Sequence, residues 1–156
     1  MPKNKVVVDA NILISILLGS RSNLAALIGL LYQLYAPEKI IYHVLKYEKL
    51  ICEKRSCTKQ QFNENLNSLL KIINIIKINN YEKFIHSASD ALGARDASDI
   101  DYLACALAIK ADFIWSRDKD FTSQMLVPVK NTGQVIKRLK IFKYLDHLIS
   151  SKMRER

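Results

Sequence analysis

Two short apolar runs in this chain each lead into an acid. Val6-Val7-Val8 is followed by Asp9, and Phe113-Ile114-Trp115 is followed, three residues on, by Asp118. Unbroken runs of this length, rich in β-branched and aromatic residues, fit strands buried on both faces. The segments between them carry apolar residues at helical spacing. Strands alternating with helices build a parallel sheet covered on both sides. In such a sheet the carboxyl ends of the strands share one edge, so an acid placed just after a strand is delivered to that edge. A further pair, Asp96 and Asp99, stands at the mouth of the alanine-rich segment 101–111, where a helix start opens on the same edge. The chain therefore reads as one three-layer α/β/α domain with carboxylates gathered at one crevice.

The rest of the pattern fills in that frame. Lys5 to Val8 reads as a central strand, and Asn11 to Leu18 as a helix stopped by Gly19-Ser20. Asn23 to Leu34 has the spacing of a second helix. Tyr35-Ala36-Pro37 is a brief strand end or turn, and Pro37 fits the first turn of a helix reaching about Glu53. Thr58 with Gln61 forms a capping-box pattern for a helix to about Leu70. Strands are expected over Lys71–Ile78, Asp112–Ser116 and Leu126–Lys130. Helices are expected over Tyr81–Leu92, stopped by Gly93, over a segment capped by Ser98 or Asp99 and ending near Lys110, and over Gln134 to about Ile149. Residues 1–150 form the domain and 151–156 a polar tail.

Composition narrows the function class. The 156 residues are 49% hydrophobic and 25% charged, as in ordinary globular domains. Only 4 Gly and 3 Pro argue against a turn-rich all-β fold. The three cysteines, at 52, 57 and 105, lack C-x-x-C spacing and give neither a disulfide framework nor a zinc signature. No stretch is long enough for a membrane span, and the start lacks the apolar core of a signal peptide, which places the protein in the cytoplasm. The net charge of +9 favours a polyanionic partner, either a nucleic acid or an acidic protein.

Carboxylates meeting in one crevice repel one another unless a cation neutralises them. Oxygen ligands of this kind suit Mg²⁺ or Mn²⁺. Such an ion polarises a phosphoryl oxygen and activates water, the chemistry of phosphodiester hydrolysis. Taken singly, Asp99 has a plain alternative as a helix cap, and Asp118 as a turn former beside Arg117 or Lys119. Asp9 is harder to explain away, because a carboxylate at the end of a buried strand is costly unless something satisfies it. Jointly, the strand-end positions favour a metal site.

These same residues resemble the motifs of PIN-domain nucleases. Val7-Val8-Asp9-Ala10-Asn11 is similar to the family's opening motif. Asp96-Ala97-Ser98-Asp99, followed by Leu103-Ala104-Cys105-Ala106-Leu107, is similar to its central acidic helix start. Trp115-Ser116-Arg117-Asp118-Lys119-Asp120-Phe121 is similar to its last acidic motif. The resemblance covers nearly the whole chain in the family's order. It implies a parallel sheet of about five strands and Mg²⁺- or Mn²⁺-dependent ribonuclease activity. It also implies a toxin of the VapC-like group, held inactive by a small antitoxin. Asp9, Asp99 and Asp118 match the metal-binding acids, Asn11 a residue that orients the first acid, and Ser116 the small hydroxyl near the site. Asp96 and Asp120 are extra acids that could bind metal through water or hold Arg117 or Lys119.

One position departs from the family. Its usual Glu lies in the helix after the second strand, and the best register places His43 there. An imidazole brings nitrogen, which suits Mn²⁺ better than Mg²⁺, and removes a negative charge. On a helical wheel Glu48 falls inside the apolar face defined by Ile40, Ile41, Val44, Leu45, Ile51 and Cys52, whereas His43 lies off its edge. Three outcomes stay open: a weakened site with His43, a site rebuilt around Glu48, and a PIN fold that has lost cleavage and acts by binding RNA or protein.

For RNA contact, Arg117 and Lys119 are the first candidates because they flank Asp118. Basic residues also recur in the last helix and tail, at 137, 138, 140, 143, 152, 154 and 156, where a solvated face explains them equally well. Trp115 and Phe113 read as strand core rather than base-stacking platforms. The apolar segment Ile12 to Leu34 offers a candidate surface for a homodimer or an antitoxin.

Overall fold

The computed structural model describes residues 3–19, 28–29, 31–93 and 97–154, without the side chains of 138–146 and 148–149 in the last helix. Its centre is β1 (Lys5–Val8), whose three valines are buried. β1 pairs in parallel with β2 (Gln33–Pro37) on one side and with β4 (Phe113–Trp115) on the other. β3 (Ile73–Ile76) pairs with β2, and β5 (Val129–Lys130) with β4. The result is an all-parallel five-stranded sheet of order β3-β2-β1-β4-β5. The chain builds outward from β1 to β3, then returns to the other side of β1 to place β4. That reversal puts the topological switch point between β1 and β4, where parallel sheets open a crevice at their carboxyl ends.

The helices are α1 (Ala10–Leu17), α2 (Lys39–Leu45), α3 (Glu48–Arg55), α4 (Lys59–Leu70), α5 (Ile85–Leu92), α6 (Ala97–Ile109) and α7 (Thr132–Arg154). α1 packs on α2 and α4, and α3 on α4, whereas α6 packs on α5 and lies against β1, β2 and β4. Right-handed crossovers place these two groups on opposite faces of the sheet. This is the expected α/β/α sandwich. Its core includes Trp115, Tyr81, Tyr102, Phe62, Phe113 and Phe121, all essentially inaccessible to solvent. Among the described residues, no helix is long and apolar enough to cross a membrane.

Several expected boundaries move. The helix expected over 23–34 gives way at Gln33, because Leu34 and Tyr35 find partners on both sides, in β1 and in β3. Pairing in the sheet outweighs local helical spacing. Residues 20–27 and 30 lie outside the described residues. The single helix expected from Pro37 to Glu53 is two: Pro37 ends β2, and a tight Tyr47 N–H to Val44 carbonyl bond (3.0 Å) closes α2 before α3 begins. Tyr81–Leu92 starts as a 3₁₀ turn (Glu82–Phe84) and becomes helical only at Ile85. α6 begins at Ala97, ahead of the expected caps Ser98 and Asp99, so both lie in its first turn. α7 spans Thr132–Arg154, longer at both ends than the expected Gln134 to about Ile149.

Other features fall where they were read. Thr58 Oγ1 accepts from Gln61 N–H (3.1 Å), and Gln61 Oε1 accepts from Thr58 N–H (2.9 Å). Gly93 ends α5 with φ 71°, a conformation that L side chains resist. The candidate dimer or antitoxin surface over 12–34 is a departure: the apolar residues described there serve largely as monomer core, with Ile12, Leu13, Ile14, Leu17, Ile28, Tyr32 and Leu34 all buried. Trp115 is core as well, its indole N–H donating to Thr132 Oγ1 (3.1 Å). All three cysteines are free.

Candidate metal centre

The last residues of β1 and β4 are register partners, Val8 with Trp115, so the next residues of each strand emerge side by side. They are Asp9 and Ser116, and Ser116 Oγ donates to Asp9 Oδ2 at 2.7 Å. The same hydroxyl oxygen accepts from Asp118 N–H (2.9 Å), and Asp118 Oδ1 accepts from Asp120 N–H (2.9 Å). A single serine thus ties the two strand ends together. Asp118 caps the 3₁₀ turn Lys119–Ser123 with that second bond, so it does shape a turn. Among the described residues it forms no ion pair with Arg117 or Lys119.

Asp9 ends its strand only 4% exposed. Burial pushes its carboxyl above the ordinary 3.8, against the downward pull of Ser116 and of the Asn11 and Ala10 amides, with Asp118 adding repulsion. Asp99, in the first turn of α6, is also buried. Carboxylate oxygens of Asp99, Asp118 and Asp120 all lie within 4.8 Å of one another. Among the described residues Asp99, Asp118 and Asp120 thus form one group, and Asp9 lines the same cavity as Asp99 and Asp118. Asp120 was expected only as an accessory acid. The one-turn 3₁₀ segment after Asp118 brings it round, and nothing in the apolar periodicity marks that turn.

The cavity holds about 380 Å³ and is lined by Asp9, Ala10, Asn11, Ile14, His43, Lys46, Tyr47, Ser98, Asp99, Tyr102 and Asp118. His43 is present, with Nδ1 2.9 Å from the Tyr102 hydroxyl. Glu48 is not. The break between α2 and α3 interrupts the continuous wheel that placed it inward, and it pairs with Lys59 at 3.8 Å. A second, more open cavity of about 340 Å³ is lined by Asn11, Ile14, Ser15, Leu18, Arg117 and Asp118. The two meet at Asn11, Ile14 and Asp118. Lys119 begins the 3₁₀ turn outside both linings. Asp96 lies outside the described residues. Of the basic positions in α7, Lys137, Lys152 and Arg154 are exposed.

Sequence reasoning missed Tyr102, Lys46 and Tyr47. Tyr102 stands three residues after Asp99, so helical spacing puts it on the same face. Burial raises its phenol well above the ordinary range. A buried brace beside the site was missed too. Asp101 accepts from Lys39 Nζ (2.9 Å) and from Tyr81 hydroxyl (3.0 Å), tying α2 to α6.

The sequence profile of the PIN domain family matches residues 7–140. No curated protein matches the chain significantly. Among solved structures, the fold is similar to a chain in the crystal structure of VapBC2 from Rickettsia felis bound to a DNA fragment from their promoter. The TM-score is 0.58 at 14% sequence identity, over 81% of this chain and 98% of that one.

Proposed function

The chain belongs to the PIN domain family, and on that footing we propose that it is a metal-dependent endoribonuclease, the toxin half of a type II toxin–antitoxin pair acting in the cytoplasm. One observation carries the catalytic reading: Asp99, Asp118 and Asp120 bring carboxylate oxygens within 4.8 Å of one another at the switch point of the sheet. The donor set fits a hard divalent cation. It is all oxygen, it concentrates negative charge, and the neighbouring Asp9 is desolvated and held by Ser116. Mg²⁺ or Mn²⁺ held by Asp99, Asp118 and Asp120, with Asp9 beside them, would polarise a phosphoryl oxygen and lower the pKa of a bound water.

The chain's own residues supply the rest. Ser116 orients Asp9 and fixes Asp118 against it through two hydrogen bonds. Asp120 N–H holds one oxygen of Asp118. Arg117 lines the open cavity that continues from the acids, where it can neutralise an RNA phosphate. The likeness to a VapBC2 chain supports a small antitoxin as partner.

The second reading is a PIN fold that binds RNA or protein without cutting. His43, standing in the cavity where the family's resemblance calls for Glu, favours it. Cleavage of RNA by purified protein in Mg²⁺, Mn²⁺ or EDTA, beside an identically prepared Asp99→Asn control, separates the two. Metal-dependent cutting absent from the control is the expected result. Equal cutting by both proteins would remove Asp99 from the site. RNA binding without cutting under every metal would leave the second reading standing.

A further inference from the structure

Recessed acids restrict what they can attack. Asp9 and Asp99 are buried, so a phosphate reaches them only if its nucleotide enters the cavity of about 380 Å³. That volume sits near the lower end of the range for small-molecule sites, about 300–1,000 Å³, and suits a single nucleotide rather than a duplex. A base drawn in from a single strand gives up stacking on its neighbours. Proteins that take up such bases replace that stacking with an aromatic face. Among the described aromatic side chains, only Tyr42 and Tyr47 are exposed, whereas Trp115, Phe113, Tyr81 and Tyr102 are core. Of the two exposed rings, only Tyr47 lines the cavity with the acids.

Tyr47 is the corner residue between α2 and α3. Its N–H donates to the Val44 carbonyl (3.0 Å), and its own carbonyl accepts from Ile51 N–H (2.9 Å). Val44 and Ile51 are both buried, so the corner is pinned to the core from either side while Tyr47 itself is 43% exposed. A tyrosine held in this way offers a large flat face and loses little conformational freedom when a ligand covers it. Lys46, its neighbour in the chain, lines the same cavity and places its ammonium 4.5 Å from the centre of the Tyr42 ring. That contact engages Tyr42, and the cation beside Tyr47 favours an anionic ligand over a neutral apolar one.

We propose that Tyr47 is a stacking platform for a nucleobase of single-stranded RNA, beside the phosphate that the acids address. The platform rests on the RNA-directed reading of the acids, but it concerns binding rather than cutting. Every base has a π face, so the platform positions the strand without reading its sequence. The ring face carries the contact, and the hydroxyl is dispensable.

The test compares a strand that has bases with one that lacks them. Fluorescent oligouridylate, and an oligomer of equal charge built from abasic nucleotides, are titrated at low salt in Ca²⁺, which neutralises the acids. The proteins are wild type, Tyr47→Leu, Tyr47→Phe and Tyr47→Trp, each checked for folding by circular dichroism. Tyr47→Leu keeps apolar bulk but loses the ring, and should weaken oligouridylate binding about tenfold. Tyr47→Phe and Tyr47→Trp keep a ring face and should stay within about twofold of wild type. On the abasic oligomer all four proteins should bind alike. Equal weakening of both oligomers by Tyr47→Leu would place the effect on the backbone or the fold and overturn the platform. Tyr47→Phe as weak as Tyr47→Leu would assign the contact to the hydroxyl and overturn it too, as would failure of the wild type to bind oligouridylate. Unchanged binding in Tyr47→Leu would also overturn it, and would leave Tyr47 with Tyr42, Leu45 and Leu50 as an exposed patch suited to a protein partner. Cleavage of RNA by wild type in Mn²⁺ is scored apart. RNA that is bound through Tyr47 yet never cut would refute the nuclease and leave the platform in place.

Discussion

The brace formed by Lys39, Asp101 and Tyr81 gives a quantitative test of how α2 is held over the site. Asp101 is 5% exposed and Tyr81 0%. One carboxylate oxygen accepts from Tyr81 hydroxyl at 3.0 Å and the other from Lys39 Nζ at 2.9 Å. Tyr81→Phe keeps the ring and removes one donor to a buried charge, a loss of about 1.5–3 kcal/mol. Breaking a fully buried ion pair costs about 3–5 kcal/mol. The Lys39 side chain, however, is 48% exposed, so water reaches its end of the pair. Lys39→Met should therefore cost about 2 kcal/mol, between the buried and the exposed limits. For a chain of this size a cost of about 2 kcal/mol lowers Tm by roughly 4–8 °C. Because both donors serve one carboxylate, the double variant should depart from additivity by about 0.5 kcal/mol or more. Urea denaturation in EDTA of the four proteins of the cycle measures all three quantities. A cost below about 0.5 kcal/mol for Tyr81→Phe, or strict additivity, would show that Asp101 does not depend on these donors.

Three further outcomes follow from the site and its scaffold. Burial raises Asp9 above 3.8 in the metal-free protein, so the folded state holds its proton more tightly than the unfolded chain. Its contribution to stability is fully present below the unfolded value and is lost as pH rises through the raised folded value. Asp9→Asn should flatten that part of the stability curve in EDTA, and parallel curves from about pH 4 to about pH 8 would refute this. Ser116→Ala removes the hydroxyl shared by Asp9 and Asp118 and should weaken Mn²⁺ binding by about 10–100-fold, read by titration. Thr58→Ala opens the capping box of α4 and should cost about 1 kcal/mol in denaturation, with no change in metal affinity.

The legible parts of the fold were those with closed local signals. β1 and β4 are uninterrupted apolar runs with an acid or hydroxyl directly after them, so burial alone fixes where they stop. Thr58 and Gln61 satisfy each other across one turn, and no distant contact is needed to read that. β2 was legible only at its end, where Tyr35-Ala36-Pro37 reads as a strand end or turn, because the strand character of its start comes from its neighbours. Leu34 carries helical spacing in the sequence, and only the chance to pair with both β1 and β3 makes it a strand. The break after Leu45 was hidden for a related reason. Ile40, Val44 and Ile51 keep helical spacing across it, and the tight Tyr47 turn leaves no Gly or Pro to mark it.

That hidden break decides what the fourth corner of the cavity contains. A continuous helix would have turned Glu48 inward and supplied another carboxylate to a crevice that already holds Asp9, Asp99 and Asp118. The two-helix arrangement sends Glu48 to Lys59 and leaves His43 facing Tyr102. Strand ends and helix starts concentrate acids at the switch point, and that much follows from apolar runs and their spacing. The balancing charges come from elements whose positions are set by tertiary packing: α2, held to α6 through Lys39 and Asp101, and the groove wall that carries Arg117. Lys46 lines the first cavity and Arg117 the second, so the acids stand between two basic ends, which suits a polyanion that continues past the point of attack on both sides. A substrate with a single terminal phosphate would leave one of those ends without a partner. The same RNA, offered at equal concentration as a circle and as a linear chain, should therefore be cut in both forms. Cutting confined to the linear form would mean that the groove engages a chain end, contrary to the endonucleolytic reading.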